Sequence, residues 1–311
     1  MEIDQDGLVT LTAVLREGTF EAAAAALHIT PSAVSQRIKA METSLGRVLV
    51  RRTKPIEATS DGEVLVRLAK QWELLTTEAH RELIRSDTEP GTPPTVDTPR
   101  VHLPIAANAD SLATWLLPAL AEFHQRHAAA VEVLRDDESR NTAYLRSGEV
   151  LAAVTSTPTA IRGCRVIALG TFRYFPVATP EYLATWMPAG PTDEALARAP
   201  MVQFDRGDQL QRDVLALLAP HPADPPTVYI PASTEYHRAI ELGMGWGAAP
   251  HVQIADALAA GRLVPFTDHH IDVPLFWHSW KLGSPLLSAL TEFVVDAAAG
   301  ALRPPSSSSN G

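Results

Sequence analysis

Between residues 19 and 42, apolar side chains recur three and four positions apart in two short blocks separated by a break. Phe20, Ala23 and Leu27 fall on one face of a helix. The run Ala22–Ala26 gives that helix high propensity and a slim surface. The pattern stops at His28-Ile29. Thr30 can cap a second helix, with Pro31 at its first position, where the missing N–H costs nothing. That second helix buries Val34, Ile38 and Met41 and turns Ser32, Ser35, Gln36, Arg37 and Lys39 outward. Small hydroxyls, one amide and two cations suit a helix laid in the major groove of DNA, although a plain helical hairpin with a solvated face has the same pattern.

The following stretch, 45–62, carries strand-favouring Val48, Leu49 and Val50, a cationic turn of Arg51, Arg52, Lys54 and Pro55, and a second short strand. From Thr30 to Ile56 six Lys/Arg stand against one acid, Glu42, a local balance of +5 in a chain whose formal net charge is -10. A basic stripe inside an acidic protein is the footprint of a polyanion partner. Thr30, Lys39, Arg51, Arg52 and Lys54 would meet phosphates, while Ser32, Ser35, Gln36 and Arg37 would touch base edges.

Over 60–85 the apolar positions narrow to a seam, with Leu65, Leu68, Trp72, Leu75, Ala79 and Leu83 in alternating steps of three and four. So narrow a seam fits pairing with a second helix, and two copies so paired present two recognition helices to a two-fold site. Packing within the same chain is the alternative. Residues 86–99 hold four prolines and one glycine and read as a hinge linker.

From Arg100 the pattern changes to alternating strand-like and helical segments. Strands are expected at 101–106, 131–134 and 150–155, with two more in 166–177, then at 201–204, 227–230, 247–249 and 273–277. Helices are expected at 111–127, 142–146, 210–218, 234–242, 252–259 and 285–299. Such alternation predicts an α/β domain with mostly parallel strands. The tail from 301 to 311 is of low complexity and reads as disordered. Composition narrows the class without naming it. Hydrophobic residues make up 46%, and no apolar run reaches the roughly 18–20 residues that span a bilayer. The acidic start MEIDQDG lacks the basic and apolar regions of a signal peptide. One cysteine, Cys164, precludes an internal disulfide framework and agrees with a reducing cytoplasm. No nucleophile elbow, phosphate loop or HExxH is present, so no catalytic set emerges and an enzyme is not expected. Gly243–Ala248 matches a dinucleotide fingerprint in letters only, since a helix precedes it. His124, His127, His269 and His270 lack the partners of a metal site, and no metal or cofactor is expected.

One segment of the α/β region could bind an anion. Asn108-Ala109-Asp110-Ser111 follows its first strand and opens a helix, where free N–H groups and the Ser111 hydroxyl suit a carboxylate; capping alone explains Asp110 and Ser111 equally well.

The block from Phe20 to Gly46, with Ala23, Ala24, Leu27, Ile29, Thr30, Ser32, Ala33, Val34, Ser35, Ile38, Met41, Glu42 and Leu45, resembles the winged helix-turn-helix of LysR-type transcriptional regulators. After Gly46 that family usually has an aromatic residue, and here Val48-Leu49-Val50-Arg51 stands instead. The block NADSLATWLLPAL resembles the ArgP/LysG branch, whose members sense basic amino acids and control arginine or lysine export.

The resemblance implies a multidomain chain: a winged helix-turn-helix over 1–60 (mainly α with a β-wing), a linker helix for dimerisation over 60–85, and an effector-binding domain over 100–300. Two subdomains like those of periplasmic binding proteins, about 100–160 with 268–300 and about 161–267, would enclose a small-molecule cleft. A ligand such as lysine, arginine or histidine needs a carboxylate site and acids for its cations. Asn108, Ala109, Asp110 and Ser111 are candidates for the first. Asp136, Asp137, Glu138, Thr155, Asp205, Ser233, Thr234 and Glu235, at strand ends, are candidates for the rest. Expected partners are double-stranded promoter DNA, the effector and a second copy in a homodimer or tetramer, with RNA polymerase a further candidate for an activator. No membrane is expected. A regulator of another effector, or a ligand-independent nucleoid-associated protein, would share the DNA-binding half.

Overall fold

In the computed structural model the described residues are 3–86, 100–135, 138–219 and 224–304. Three helices open the chain: α1 (Gln5–Glu17), α2 (Phe20–Ala26) and α3 (Pro31–Leu45). Each starts on a side-chain cap: Asp4, Thr19 and Thr30 accept from the backbone N–H of Gly7, Ala22 and Ala33. Leu11, Val14, Ala23, Val34 and Ile38 close their common core. Burial of each large apolar side chain here contributes about 1.5–3 kcal/mol. α1 lies ahead of the two predicted helices and adds Leu8, Leu11 and Val14 to their core.

The wing is two antiparallel strands, β1 (Val50–Arg51) and β2 (Glu57–Ala58). It is shorter than the apolar run 48–50 predicts. Ahead of β1, one backbone bond remains, Thr59 N to Leu49 O at 3.0 Å, while Glu42 accepts from Leu49 N at 2.8 Å and the Thr59 hydroxyl donates to Val48 O at 2.7 Å, so side chains take up the other backbone groups. α4 (Ser60–Ser86) follows, and a Cβ on Gly62 would lie 2.1 Å from Leu49 O, so only glycine lets this helix begin against the wing.

α4 does not present a uniform seam. Leu65 is buried in the core of its own winged domain, and Leu68 packs against it. Nine residues after Leu65, Leu74, outside the predicted seam, is buried in the α/β core. Trp72, Leu75 and Leu83 stay exposed. Polar clamps fix the same helix to the α/β domain: Lys70 Nζ donates to Glu149 O at 3.1 Å, Glu78 accepts from Ser284 Oγ at 2.8 Å, and Arg81 donates to Ala128 O at 2.5 Å. Leu65 therefore belongs to its own domain rather than to a pairing surface. Most of the proline-rich segment, 87–99, lies outside the described residues.

The α/β domain starts with β3 (Val101–Ala107), α5 (Ala109–Ser111), a π turn at Leu112–Leu116 and α6 (Leu117–Arg126). β4 (Ala129–Arg135), α7 (Glu138–Ser147) and β5 (Ala152–Thr155) complete its first parallel layer, with β3 between β4 and β5. β6 (Cys164–Ala178) is one strand of 15 residues where the sequence predicts two. Its first half pairs β11 (Ile271–Trp280) beside β5. Its second half pairs β9 (Gly247–Pro250) and β10 (Val264–Pro265) as well as the start of β11. Both long strands change character midway, at Gly170 with φ 138 and at the register shift between Leu275 and Phe276. Between them lie α8 (Pro180–Trp186), α9 (Asp193–Arg198), β7 (Met201–Gln203), α10 (Leu210–Leu218), β8 (Thr227–Tyr229), α11 (Ser233–Glu241) and α12 (His251–Ala259).

Every pairing made by β6 and β11 is antiparallel, which corrects the mostly parallel expectation. The cause is that these strands run out to the second subdomain and back. α13 (Pro285–Ala301) covers the sheet, and Trp277 donates to its Thr291 at 3.1 Å. Beyond α13, Arg303 exchanges backbone hydrogen bonds with Thr171, so the chain is still paired past residue 301, where the sequence predicts a disordered tail. Residues 305–311 lie outside the described residues.

Candidate DNA-binding face and effector cleft

α3 buries Val34, Ile38 and Met41, which sends the intervening positions outward. Thr30, Ser32, Gln36 and Lys39 are exposed and Ser35 is half-buried. The Thr30 and Ser32 hydroxyls lie 2.9 Å apart at the helix start. In the wing, Arg51, Arg52 and Lys54 are all exposed, and Arg52 rests over the Phe20 ring at 5.7 Å. Arg37 behaves differently. Its guanidinium pairs with Asp6 at 3.0 Å and donates to Thr10 at 3.4 Å, so here it ties α3 to α1 and is not presented to a groove.

The second site lies where the two α/β subdomains meet. Asp110, half-buried after β3, accepts from Ser233 Oγ at 2.6 Å and from Tyr174 Oη at 2.7 Å. Ser233 opens α11 in the second subdomain, and Gln253 of α12 donates to its Oγ at 3.1 Å. A single carboxylate thus links the first subdomain, the crossing strand β6 and the second subdomain. Asn108 and Ser111 are buried beside it, and no hydrogen bond satisfies Ser111 Oγ among the described residues.

The neighbouring groups are acidic or desolvated. Asp208 precedes α10 and accepts from Leu210 N at 2.9 Å. Burial raises its carboxyl above the usual range, and the negative charges of Asp205 and Asp110 push the same way. Tyr236, one turn after Ser233, is pushed up by burial and then by Asp208 and Asp110. Its hydroxyl bonds Gln211 and donates to Ala248 O at 3.1 Å. His237 is lowered by burial, against the pull of Asp110 and Glu241. A cleft with clustered acids in a partly dry setting favours a cationic guest, whose charge would offset repulsion already present.

Several predicted residues fall elsewhere. Asp205 holds its own turn, accepting from Gly207 N at 2.7 Å and Asp208 N at 2.9 Å. Thr155 is buried and donates to Thr157 O at 3.3 Å. Thr234 and Glu235 lie on the exposed side of α11, opposite Ser233, Tyr236 and His237. Ala109 is half-buried at the helix start. Asp136 and Asp137 lie outside the described residues, and Glu138 begins α7. Tyr174, Asp208 and Gln253 were missed. Tyr236 and His237, three and four residues after Ser233, could have been found from helical spacing alone.

Among the described residues no group of three or more potential ligands could hold a metal ion, and no helix is long and apolar enough to cross a membrane. Comparison with known proteins matches residues 6–63 to the bacterial regulatory helix-turn-helix proteins of the lysR family and residues 97–299 to the LysR substrate-binding domain. The lysine export transcriptional regulatory protein LysG of Corynebacterium efficiens is 42% identical over 297 residues, covering 95% of this chain and 98% of that protein. The crystal structure of ArgP from Mycobacterium tuberculosis superposes with a TM-score of 0.85 at 38% identity, covering 97% of this chain and 100% of that one. Full-length LysG from Corynebacterium glutamicum with bound effector Arg gives 0.79 at 37% identity, with the same coverage.

Proposed function

The chain belongs to the LysR family of bacterial transcription regulators, and on that premise we propose that its effector is a basic amino acid, lysine, arginine or histidine, bound between the two α/β subdomains. The observation that carries this reading is Asp110, an acid joined to both subdomains and set among further acids. The arginine bound by the similar LysG supports the same ligand class. The α-carboxylate would lie toward Asn108 and Ser111, and a ligand cation would take Asp110, with Asp208 adding to the negative field.

In this reading the chain works as a homodimer or tetramer on promoter DNA in the cytoplasm and controls an amino-acid exporter gene. Trp72, Leu75 and Leu83 of α4 supply the exposed apolar surface for pairing. Lys39, Arg51, Arg52 and Lys54 bind phosphates, and Ser32, Ser35 and Gln36 read bases. Ligand acts by population shift, because it binds one arrangement of the subdomains better than another and so re-spaces the recognition helices. The clamps from Lys70, Glu78 and Arg81 give α4 a direct connection to the α/β domain through which that shift can pass.

Calorimetric titration with each of the twenty amino acids tests the effector. Heat is expected with a basic amino acid, and Asp110→Asn should weaken it about tenfold or more, as for loss of a charge-assisted bond. Absence of heat with all three basic amino acids removes the effector assignment. In a mobility shift on the protein's own upstream region, Gln36→Ala should relax sequence preference.

A further inference from the structure

Tyr174 sits on β6, 4% exposed, with its ring edge-on to Phe172 at 5.9 Å. Its backbone is in register with Ile271 of β11 on one side and Pro250 of β9 on the other. Pro250 is the cap residue of α12, and three residues on, Gln253 donates to Ser233 Oγ. Ser233 in turn donates to Asp110 Oδ1, while Tyr174 donates to Asp110 Oδ2. The connections close into a ring. From Tyr174 one path reaches Asp110 through the phenol, and the other reaches it through the β6–β9 ladder, α12 and α11. Ser233 has one proton; given to Asp110 at 2.6 Å in preference to Gln253 Oε1 at 3.2 Å, it leaves the Gln253 amide N–H as the donor to the hydroxyl.

The two oxygens of Asp110 are thus unequal. Oδ2 is held by a buried phenol that the sheet fixes in place. Oδ1 is capped by the Ser233 hydroxyl at the first residue of α11, away from the β6 ladder. We propose that Tyr174 is a positioning residue for the effector site: it fixes the Asp110 carboxylate so that Oδ1 faces the cleft, where the cation of a basic amino acid displaces the Ser233 hydroxyl. The inference rests on the effector reading above and adds a division of labour to it. Tyr174 serves ligand-free and ligand-bound states alike, whereas Ser233 is an intramolecular stand-in for the ligand. Displacing it transfers the cross-cleft link from a neutral hydroxyl to a charged guest, so the Asp110 carboxylate gains an opposite charge that the hydroxyl does not supply.

The experiment is a calorimetric double-mutant cycle with arginine, lysine and histidine on the full chain, using Tyr174→Phe, Asp110→Asn, the double variant and Ser233→Ala. Tyr174→Phe keeps the ring and its packing and is expected to raise Kd about tenfold, the size of one hydrogen bond to a charged group. The double variant should bind no more weakly than Asp110→Asn alone, because the phenol acts only through that carboxylate. Ser233→Ala should leave Kd unchanged or lower it, since the ligand then meets no competitor. Additive losses from Tyr174→Phe and Asp110→Asn, an unchanged Kd in Tyr174→Phe, or a tenfold loss in Ser233→Ala would each overturn the positioning role while leaving the effector reading in place. A wild-type chain that takes up none of arginine, lysine and histidine would overturn both.

Discussion

On α3 and the wing, Lys39, Arg51, Arg52 and Lys54 stand exposed, whereas in the cleft Asp110 and Asp208 are partly or largely withdrawn from water and held by hydroxyls and backbone N–H groups. The first surface holds charge of one sign in high dielectric, where each group contributes little and their number decides the outcome. The second concentrates the opposite sign in a few positions of low dielectric, where each hydrogen bond weighs heavily. A formal net charge of -10 therefore describes neither site. In the proposed function this segregation would let one chain hold a polyanion at one end and a small cation at the other.

Salt is the most forceful way to break that contrast. Two paired copies present eight exposed cations from these four positions, and loss of 6–10 phosphate contacts corresponds to roughly 10³–10⁵ in affinity between 50 and 200 mM salt. Fluorescence anisotropy on promoter DNA should show that fall. Arginine binding, measured over the same range, should change by less than about tenfold, because partly buried pairs are screened much less. Equal slopes at the two sites would remove the distinction.

The next effect in size tests whether the halves are separable. Ile38, 2% exposed in the winged core, should cost about 2–5 kcal/mol when cut to alanine, by lost burial and the cavity left behind. Thermal melting followed on the winged domain should drop and the mobility shift should disappear, with arginine binding retained. Loss of both would mean that α4, with Leu65 in one core and Leu74 in the other, couples the domains tightly enough to unfold as one. A third and smaller effect probes the cleft from the ligand side. Citrulline matches arginine in shape without its charge and should bind more weakly by about 1.5–3 kcal/mol, the worth of a bond to a charged group. Equal heats for the two would place the cation away from Asp110.

The two regions were also unequally legible in sequence. The winged domain could be read nearly whole, since its elements are local: caps at Thr19 and Thr30, apolar steps of three and four, and a basic turn, all within some forty residues. α1 carries the same signal, with Leu8, Leu11 and Val14 at helical spacing behind an Asp4 cap. The cleft depends on contacts far apart in the chain. Asp110 meets Tyr174 and Ser233 across 64 and 123 positions, and no spacing rule connects them. Its acids were legible as types, but which face of α11 they met was not; Thr234 and Glu235 were grouped with Ser233 although helical geometry turns them outward. β6 was read as two strands because its residues serve two subdomains in turn, a division that pairing reveals and periodicity does not.

Arg37 carries the smallest prediction and the one that most sharpens the contrast. It lies on the recognition helix, yet its guanidinium sits 3.0 Å from Asp6 and bonds Thr10, an arrangement resembling the cleft's tied groups more than the wing's free ones. Side chains 38% and 73% exposed make an ion pair that water and salt screen heavily, worth about 0–1 kcal/mol. Arg37→Ala should therefore lower the melting temperature only slightly. Its effect on DNA separates two roles. If Arg37 remains on α1, the ratio of promoter to random-sequence affinity stays within about twofold, a few tenths of a kcal/mol. If it swings to a base on binding, that ratio falls by the roughly 1–3 kcal/mol that a bidentate base contact supplies, or about 5- to 150-fold. The structure favours the first outcome, because leaving Asp6 and Thr10 gives up two contacts before any base is reached. Asp6→Ala provides the reciprocal measurement: with its tether removed, Arg37 should add nothing to discrimination unless the groove itself draws it in.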